Sequence, residues 1–180
     1  MEMETCHIQG QRADGRIQER SLGKNPRRNI QGARRIIALD TNLLVYAYRE
    51  DSEFHTTAVE QLRPVIEGDS PWALPWTCVH EFIGVVTSSR VYKPTSPLSN
   101  VLDFLGSLMT SPQLHLLTES PGYFEKLSEL ALAAKLSGPR IHDARIAALC
   151  LHHGVRELWT ADRDFSMFPK LKTRNPLVKK

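Results

Sequence analysis

The sequence has no long run of apolar residues and no recognisable export signal. A helix that crosses a membrane needs about 20 consecutive apolar residues, and the 180 residues of the chain contain no such stretch. The first residues are polar and charged, whereas a secretory signal has an apolar central region. We therefore expect a soluble, cytoplasmic protein that does not insert into a membrane.

Cysteine is scarce. Only Cys6, Cys78 and Cys150 are present, and no two of them form a Cys-x-x-Cys pair. Their odd number and wide spacing argue against a disulfide framework and against a zinc knuckle. Cys78 and Cys150 lie in apolar segments with helical spacing, so we expect both thiols in the hydrophobic core.

Strong net charge is absent from most of the chain. The net charge is +3, but residues 1–35 hold eight basic and four acidic residues and so carry +4, which leaves −1 for the remainder. The basic character therefore belongs to the N-terminal segment. It is weak evidence that the folded part binds nucleic acid.

Residues 1–35 also have few large apolar side chains and no regular hydrophobic spacing. Such a segment buries too little surface to offset the conformational entropy that it would lose on folding. We expect a disordered basic leader or a mis-annotated start, and a basic arm that contacts RNA is the alternative. The rest of the chain has the length of one domain, which we place at 36–180.

From residue 36 onward, short apolar segments alternate with segments of helical spacing. The run "IIAL" at 36–39 is typical of a strand that is buried on both faces. Alternation of such strands with helices predicts an α/β domain with a mainly parallel sheet. The predicted strands are 36–39, 71–75, 114–117 and 157–160, and the predicted helices are 41 onward, 54–67, 76–89, 97–109, 123–136 and 141–154.

Five acidic residues interrupt or directly follow these apolar elements. Asp40 follows the first strand, Glu81 lies in the helix "VHEFIGVV", and Asp143 lies near the start of the helix "DARIAAL". Asp162 and Asp164 come directly after the last predicted strand. In a parallel α/β sheet, the strand ends and the helix starts that follow them line one edge, where ligands bind. That edge can collect these carboxylates in one pocket.

Each carboxylate also has an ordinary structural explanation. Asp40 and Asp143 are suitable N-caps for the helices that follow them. Glu81 can lie on an exposed helix face, and Asp162 and Asp164 can cap a turn. Together, however, carboxylates in one pocket repel each other unless a cation is bound. Ligand sets made only of oxygen suit Mg²⁺ or Mn²⁺, and such ions serve phosphodiester hydrolysis.

Several motifs resemble the PIN-domain ribonucleases, specifically the VapC-type toxins. They are "ALDTNLLVYA", the glutamate in a later apolar helix, "HDARIAALCLHHGVRELWTADRDF" and "FPKLKTRNPL", and they extend over residues 36–178. The resemblance implies a three-layer α/β/α fold with a central, mainly parallel sheet. It also implies an endoribonuclease that depends on Mg²⁺ or Mn²⁺ and acts as the toxin of a type II toxin-antitoxin module. The implied partners are a second copy of the chain and a VapB-type antitoxin, which would occupy the groove near the acidic site.

The resemblance also assigns roles to the acidic residues. Asp40, Glu81 and Asp143 match the first, second and third acids that hold the metal in the family. The fourth motif reads "TADRDF" at 160–165 here. In it, Asp162 is the expected fourth acid and Asp164 a supporting one.

Three polar residues near these acids complete the prediction. Asn42 matches a frequent polar neighbour of the first acid, and Thr160 matches a hydroxyl that orients a carboxylate or water. Arg145 follows Asp143 by two residues, which on a helix turns it about 200° away. We therefore expect Arg145 outside the metal pocket, either on a solvated face or as an RNA or antitoxin contact. His142 is adjacent to Asp143 and points about 100° away from it, so the two are poorly placed to face one substrate atom jointly, and a separate substrate contact by His142 is the alternative.

Two other functions fit parts of the pattern. A phosphodiesterase that acts on DNA would share the acidic cluster, and a non-catalytic binding protein would not need it. A haloacid-dehalogenase-like phosphatase would require an acid two residues after the first aspartate, where Asn42 stands. The motifs do not identify the RNA, since specificity would depend on groove shape and loop contacts.

Overall fold

The computed structural model describes residues 36–178 of the chain. The predicted leader at 1–35 lies outside these residues. Within the described range, no helix is both long enough and apolar enough to span a membrane.

A parallel sheet lies at the centre of the domain. Its strands are β1 (Ile37–Leu39), β2 (Trp72–Pro75), β3 (Leu114–Leu117), β4 (Glu157–Trp159) and β5 (Thr173–Arg174), in the spatial order β3-β2-β1-β4-β5. The central strand β1 pairs with β2 on one side and β4 on the other, and every pairing in the described range is parallel. The predicted parallel sheet is confirmed.

Six α-helices connect the strands. They are α1 (Thr41–Tyr48), α2 (His55–Ile66), α3 (Trp76–Val86), α4 (Leu98–Met109), α5 (Tyr123–Ala133) and α6 (Ile141–His152). The chain moves from β1 through β2 to β3, then returns past both strands to β4. Because parallel crossovers are right-handed, this reversal places α1 to α4 on one face and α5 with α6 on the other. The predicted three-layer α/β/α architecture is therefore confirmed.

The core lies between these layers. Ala38 and Leu39 of β1 and Leu74 of β2 have no accessible surface, as expected for strands that are covered on both faces. The thiols of Cys78 and Cys150 are free and buried, as predicted. These strands are short and rigidly packed, and they fix the positions of the residues that follow their carboxyl ends.

The structure differs from the prediction mainly at element ends. Helix α6 ends at His152, before Gly154 (φ 68°), and α5 ends at Ala133, before Lys135 (φ 50°). The positive φ at each of these residues is incompatible with continuing the helix. Strand β5 was not predicted, because its two exposed residues carry no apolar pattern.

Candidate active site

Asp40 occupies the carboxyl end of the central strand β1. Its side chain is buried (3% exposed), and its backbone N–H donates to the Trp159 carbonyl at 3.0 Å. Its Oδ1 accepts a hydrogen bond from the Thr41 N–H at 2.8 Å, so Asp40 caps helix α1 as one interpretation of the sequence proposed. The cap uses only one carboxylate oxygen and leaves the other for further contacts.

The second oxygen of Asp40 accepts two hydrogen bonds from polar neighbours. Thr160 Oγ1 donates to Oδ2 at 2.6 Å, and Asn42 Nδ2 donates to the same atom at 2.7 Å. Asn42 is held in turn, because its Oδ1 accepts from the Ala161 N–H at 3.1 Å. The Cys78 thiol lies 3.8 Å from Oδ1 as a weak donor. These contacts fix the orientation of the Asp40 carboxylate.

Burial nevertheless makes the charged form of Asp40 unfavourable. Desolvation, together with the negative charges of Glu81 and Asp162, raises the pKa of Asp40 from 3.8 to about 6, although hydrogen bonds from Thr160 and Thr41 oppose the shift. A carboxyl group with several donors normally has a low pKa. The net rise shows that burial outweighs the hydrogen bonds at Asp40.

Glu81 reaches the same region from helix α3. Its side chain is exposed rather than buried among apolar neighbours, and its Oε2 accepts a hydrogen bond from Thr41 Oγ1 at 2.6 Å. Thr41 therefore links the start of α1 to Glu81. The exposed position agrees with the alternative that the sequence left open for Glu81, while the hydrogen bond directs its carboxylate toward Asp40.

Asp143 lies in the first turn of α6 and is half-buried. It does not cap this helix, since the N-cap position belongs to Arg140. Among the residues that the structure describes, none donates a hydrogen bond to its carboxylate. Burial, followed by the charges of Asp162, Asp164 and Glu81, raises the pKa of Asp143. The capping explanation for Asp143 is therefore wrong, because the helix begins earlier.

The two aspartates after β4 differ in position. The Asp162 N–H donates to Thr160 Oγ1 at 2.9 Å, and Asp162 Oδ1 accepts from the Asp164 N–H at 2.8 Å. Asp162 lines the pocket around Asp40, whereas Asp164 begins a short 3-10 helix and does not line it. Of these two aspartates, Asp162 therefore lies in the wall of the pocket.

These side chains surround one open pocket of about 270 Å³. The four acids around it come from four separate segments of the chain and are Asp40, Glu81, Asp143 and Asp162. Tyr46 and Tyr92 form part of its wall. The edge of the sheet therefore brings together the acids that sequence reasoning placed there.

The donor set fits a hard divalent cation, although the carboxylates have not converged on one point. Only carboxylate, hydroxyl and amide groups supply ligand atoms in the pocket, a set that suits Mg²⁺ or Mn²⁺. Across 36–178, no three Asp, Glu, His or Cys side chains lie close enough to share one ion. Glu81 and Asp162 instead accept hydrogen bonds from Thr41 and from the Asp164 backbone.

Arg145 lies outside the acidic pocket, as its helical position predicts. It lines a neighbouring pocket, and its Nη2 atom is 3.9 Å from Glu119 Oε1. Both side chains of this pair are largely exposed.

Sequence reasoning missed Thr41, Cys78 and the two tyrosines of the pocket wall. The position of Thr41 directly after Asp40, at the first residue of a helix, is a signal that was available. Cys78 and Tyr92 are distant from Asp40 in sequence, and only the tertiary packing of α3 and the loop after it brings them near.

Known proteins have sequences similar to this chain. The PIN domain family matches residues 37–171. Ribonuclease VapC43 of Mycobacterium tuberculosis is 33% identical over 143 residues, which cover 79% of this chain and 96% of the relative.

Solved structures share the fold. The structure of VapBC2 from Rickettsia felis, bound to a DNA fragment from its promoter, has a TM-score of 0.54 at 21% identity and covers 78% of this chain and 98% of that chain. Mycobacterium tuberculosis VapC20, described as a sarcin-ricin loop cleaving toxin, has a TM-score of 0.54 at 15% identity. The match covers 72% of this chain and 92% of that chain. The family match spans most of the sequence, and the chain therefore belongs to the PIN-domain family and, within it, to the VapC group.

Proposed function

We propose that this chain is a metal-dependent endoribonuclease and the toxin of a type II toxin-antitoxin module. The observation that carries the proposal is the pocket in which Glu81, Asp143 and Asp162 surround the buried Asp40. Burial and neighbouring negative charge raise the pKa of Asp40 to about 6. A bound cation would compensate that charge, and the relatives in the VapC group are named ribonucleases.

The proposed ligands of Mg²⁺ or Mn²⁺ are Asp40, Glu81, Asp143 and Asp162, with Asp164 in a supporting role. When bound, such an ion activates a water molecule and stabilises negative charge on the phosphate and the leaving oxygen. The pocket is open to solvent, so an RNA backbone can reach these carboxylates.

Other residues of the chain would orient these ligands. Thr160 and Asn42 both donate to Oδ2 of Asp40, which prevents that carboxylate from rotating. Thr41 holds Glu81 by a 2.6 Å hydrogen bond. Asp143 has no such partner among the described residues, and its carboxylate is free to turn toward an ion. We infer that Asp40 is the fixed ligand and Asp143 an adjustable one.

The proposed reaction is tested by incubating the purified chain with matched RNA and DNA oligonucleotides. We expect cleavage of RNA with Mg²⁺ or Mn²⁺, no cleavage in EDTA and no cleavage of DNA. Asp40→Asn should be inactive, while Asp103→Asn, which alters an exposed residue of α4 outside the pocket, should behave as the wild type. Full activity in EDTA would overturn the metal mechanism, and preference for DNA would favour the alternative phosphodiesterase.

The proposed protein partners are a VapB-type antitoxin and a second copy of the chain. The Rickettsia felis relative was solved as a VapBC assembly. Large apolar side chains are exposed on helices α4 and α5, namely Leu98, Leu102, Phe124 and Leu132. Their exposure is consistent with surfaces that protein partners cover.

Light scattering after gel filtration should give twice the mass of the chain, and a monomer at micromolar concentration would contradict the dimer.

A further inference from the structure

A second pocket adjoins the acidic one. Its volume is about 390 Å³, and it shares Glu81 and Ile146 with the acidic pocket. The side chains on its far side are basic or can donate hydrogen bonds, namely His80, His142 and Arg145. Glu81 and Ile146 therefore belong to the walls of both pockets, and Arg145 is the permanently charged cation among the residues that line the second.

Two helices position the donors of this second pocket. His142 and Arg145 are three residues apart on α6 and so lie on the same side of that helix. His80 comes from α3, where its ring lies at 79° to the ring of Trp76 with the centroids 5.6 Å apart. Donors from both helices therefore line one depression in the surface.

The guanidinium of Arg145 is partly exposed and lies beside Glu119 and Tyr123. Its ion pair with Glu119 has an N–O distance of 3.9 Å, and the two side chains are 38% and 60% exposed. Exposed pairs of this kind contribute little to stability, so an incoming anion can replace Glu119. A guanidinium binds phosphate through two parallel hydrogen bonds, which a single ammonium group cannot do.

We propose that this second pocket binds the RNA phosphate that neighbours the phosphate undergoing cleavage. Arg145 would be its main ligand, with His80 and His142 as flanking donors. The inference rests on the proposed ribonuclease function, in which the scissile phosphate occupies the acidic pocket. The carboxylates there repel an RNA backbone, and a basic subsite one nucleotide away would offset this repulsion and fix the register of the strand.

The test compares Arg145→Ala with Arg156→Ala. Arg156 is an exposed residue just before β4, at the amino ends of the strands and away from both pockets, so its substitution is a matched loss of one positive charge. The substrate is an RNA oligonucleotide with one mapped cleavage site. For Arg145→Ala we expect KM to rise roughly tenfold with kcat nearly unchanged. The salt dependence of RNA affinity, measured in EDTA, should weaken by about 0.7 in its logarithmic slope. Arg145→Lys should recover part of the affinity, and Arg156→Ala should match the wild type.

A modified substrate identifies the phosphate. A methylphosphonate replaces the neighbouring phosphate by a neutral group, and it should raise KM for the wild type but add little to the loss in Arg145→Ala. The inference would be overturned if Arg145→Ala left KM and the salt slope unchanged. It would also be overturned if the effects of Arg145→Ala and of the methylphosphonate on KM were additive. Either result would leave the ribonuclease function intact. Arg145-dependent RNA binding without cleavage in Mg²⁺ or Mn²⁺ would overturn the ribonuclease function instead.

Discussion

At the scale of single residues, burial has a larger effect on the ionisation of Asp40 than its hydrogen bonds have. Thr41, Thr160 and Asn42 donate to its carboxylate, and such bonds favour the charged form. Burial at the end of β1 and the neighbouring acids outweigh them, since the pKa rises to about 6. The chain thus keeps this carboxyl group in place although burial disfavours its charged form, and in the proposed metal site a bound cation would remove that cost.

Asp143→Asn should stabilise the protein in the absence of metal. Asp143 makes no hydrogen bond with a described residue, and its pKa is raised by burial and by its acidic neighbours. Because the pKa of Asp143 is raised in the folded state, the free-energy penalty of ionising it is absent below its ordinary pKa. The penalty grows as the pH rises through the folded-state pKa. Because the residue is partly exposed, we expect a gain on the order of 1 kcal/mol at neutral pH.

The measurement is urea unfolding of the wild type and Asp143→Asn, in EDTA, at neutral pH and at acidic pH. The difference between the two proteins should shrink toward acidic pH, and added Mn²⁺ should stabilise the wild type more than the variant. If the variant is the less stable protein in EDTA and both gain equally from Mn²⁺, Asp143 has a structural role and does not bind metal.

Thr160→Val should weaken metal binding without unfolding the domain. Thr160 donates a 2.6 Å hydrogen bond to Asp40 Oδ2, and this bond lowers the pKa of Asp40. Its loss raises that pKa further, so protons compete better with the ion. We expect the half-saturating Mn²⁺ concentration for RNA cleavage to rise roughly tenfold, with a larger deficit at lower pH. Thr160→Ser keeps the hydroxyl and should restore most of the activity; equal defects in both variants would contradict this role.

At the scale of elements, the position of the site follows from the sheet. Asp40 and Thr160 follow the adjacent parallel strands β1 and β4, so their side chains meet at one edge. The apolar pattern of the strands predicted that carboxylates would gather at this edge, and the family resemblance assigned the Thr160 hydroxyl a role beside a carboxylate or water. It could not predict the contact of Cys78 with Asp40, which depends on how α3 packs. Strand β5 was missed because Thr173 and Arg174 are exposed and carry no pattern.

Helix α1 also anchors the loop that carries Tyr92. Arg49, directly after α1, donates from Nη1 to the Pro94 carbonyl and to Ser96 Oγ, each at 3.2 Å. Its guanidinium lies 4.2 Å from the centroid of the Tyr92 ring and pairs with Asp51. Since Tyr92 lines the acidic pocket, Arg49 connects the end of α1 to the wall of the site.

Arg49→Ala should therefore destabilise the domain and affect the site. Loss of these hydrogen bonds and of the buried side chain should lower the free energy of unfolding by about 2 kcal/mol. The control is Arg63→Ala, because Arg63 is 65% exposed and has only a 4.0 Å ion pair with Glu67. Its effect should stay below about 0.5 kcal/mol. Urea unfolding and KM for RNA check both expectations; identical values for the two variants would contradict the anchoring role of Arg49.

At the scale of the whole molecule, we propose that residues 36–178 fold without the basic leader. The core cluster among residues 36–178 already fills the space between the three layers, and the sequence of residues 1–35 has few apolar side chains with which to extend it. Deletion of residues 1–33 should leave the melting temperature and metal-dependent cleavage nearly unchanged. A fall of many degrees would show that the segment contributes to the fold, and a selective loss of RNA affinity would favour the basic-arm alternative.

We propose that carboxylates from four segments of the chain form one divalent metal site. The binding of Mn²⁺, followed by the decrease in the electron paramagnetic resonance signal of the free ion, tests it most directly. We predict saturable binding by the wild type and by Asp103→Asn, and a large loss of affinity in Asp40→Asn and in Asp143→Asn. Wild-type affinity in both of these last variants would contradict the account, because Asp40 and Asp143 would then lie beside the pocket without holding the ion.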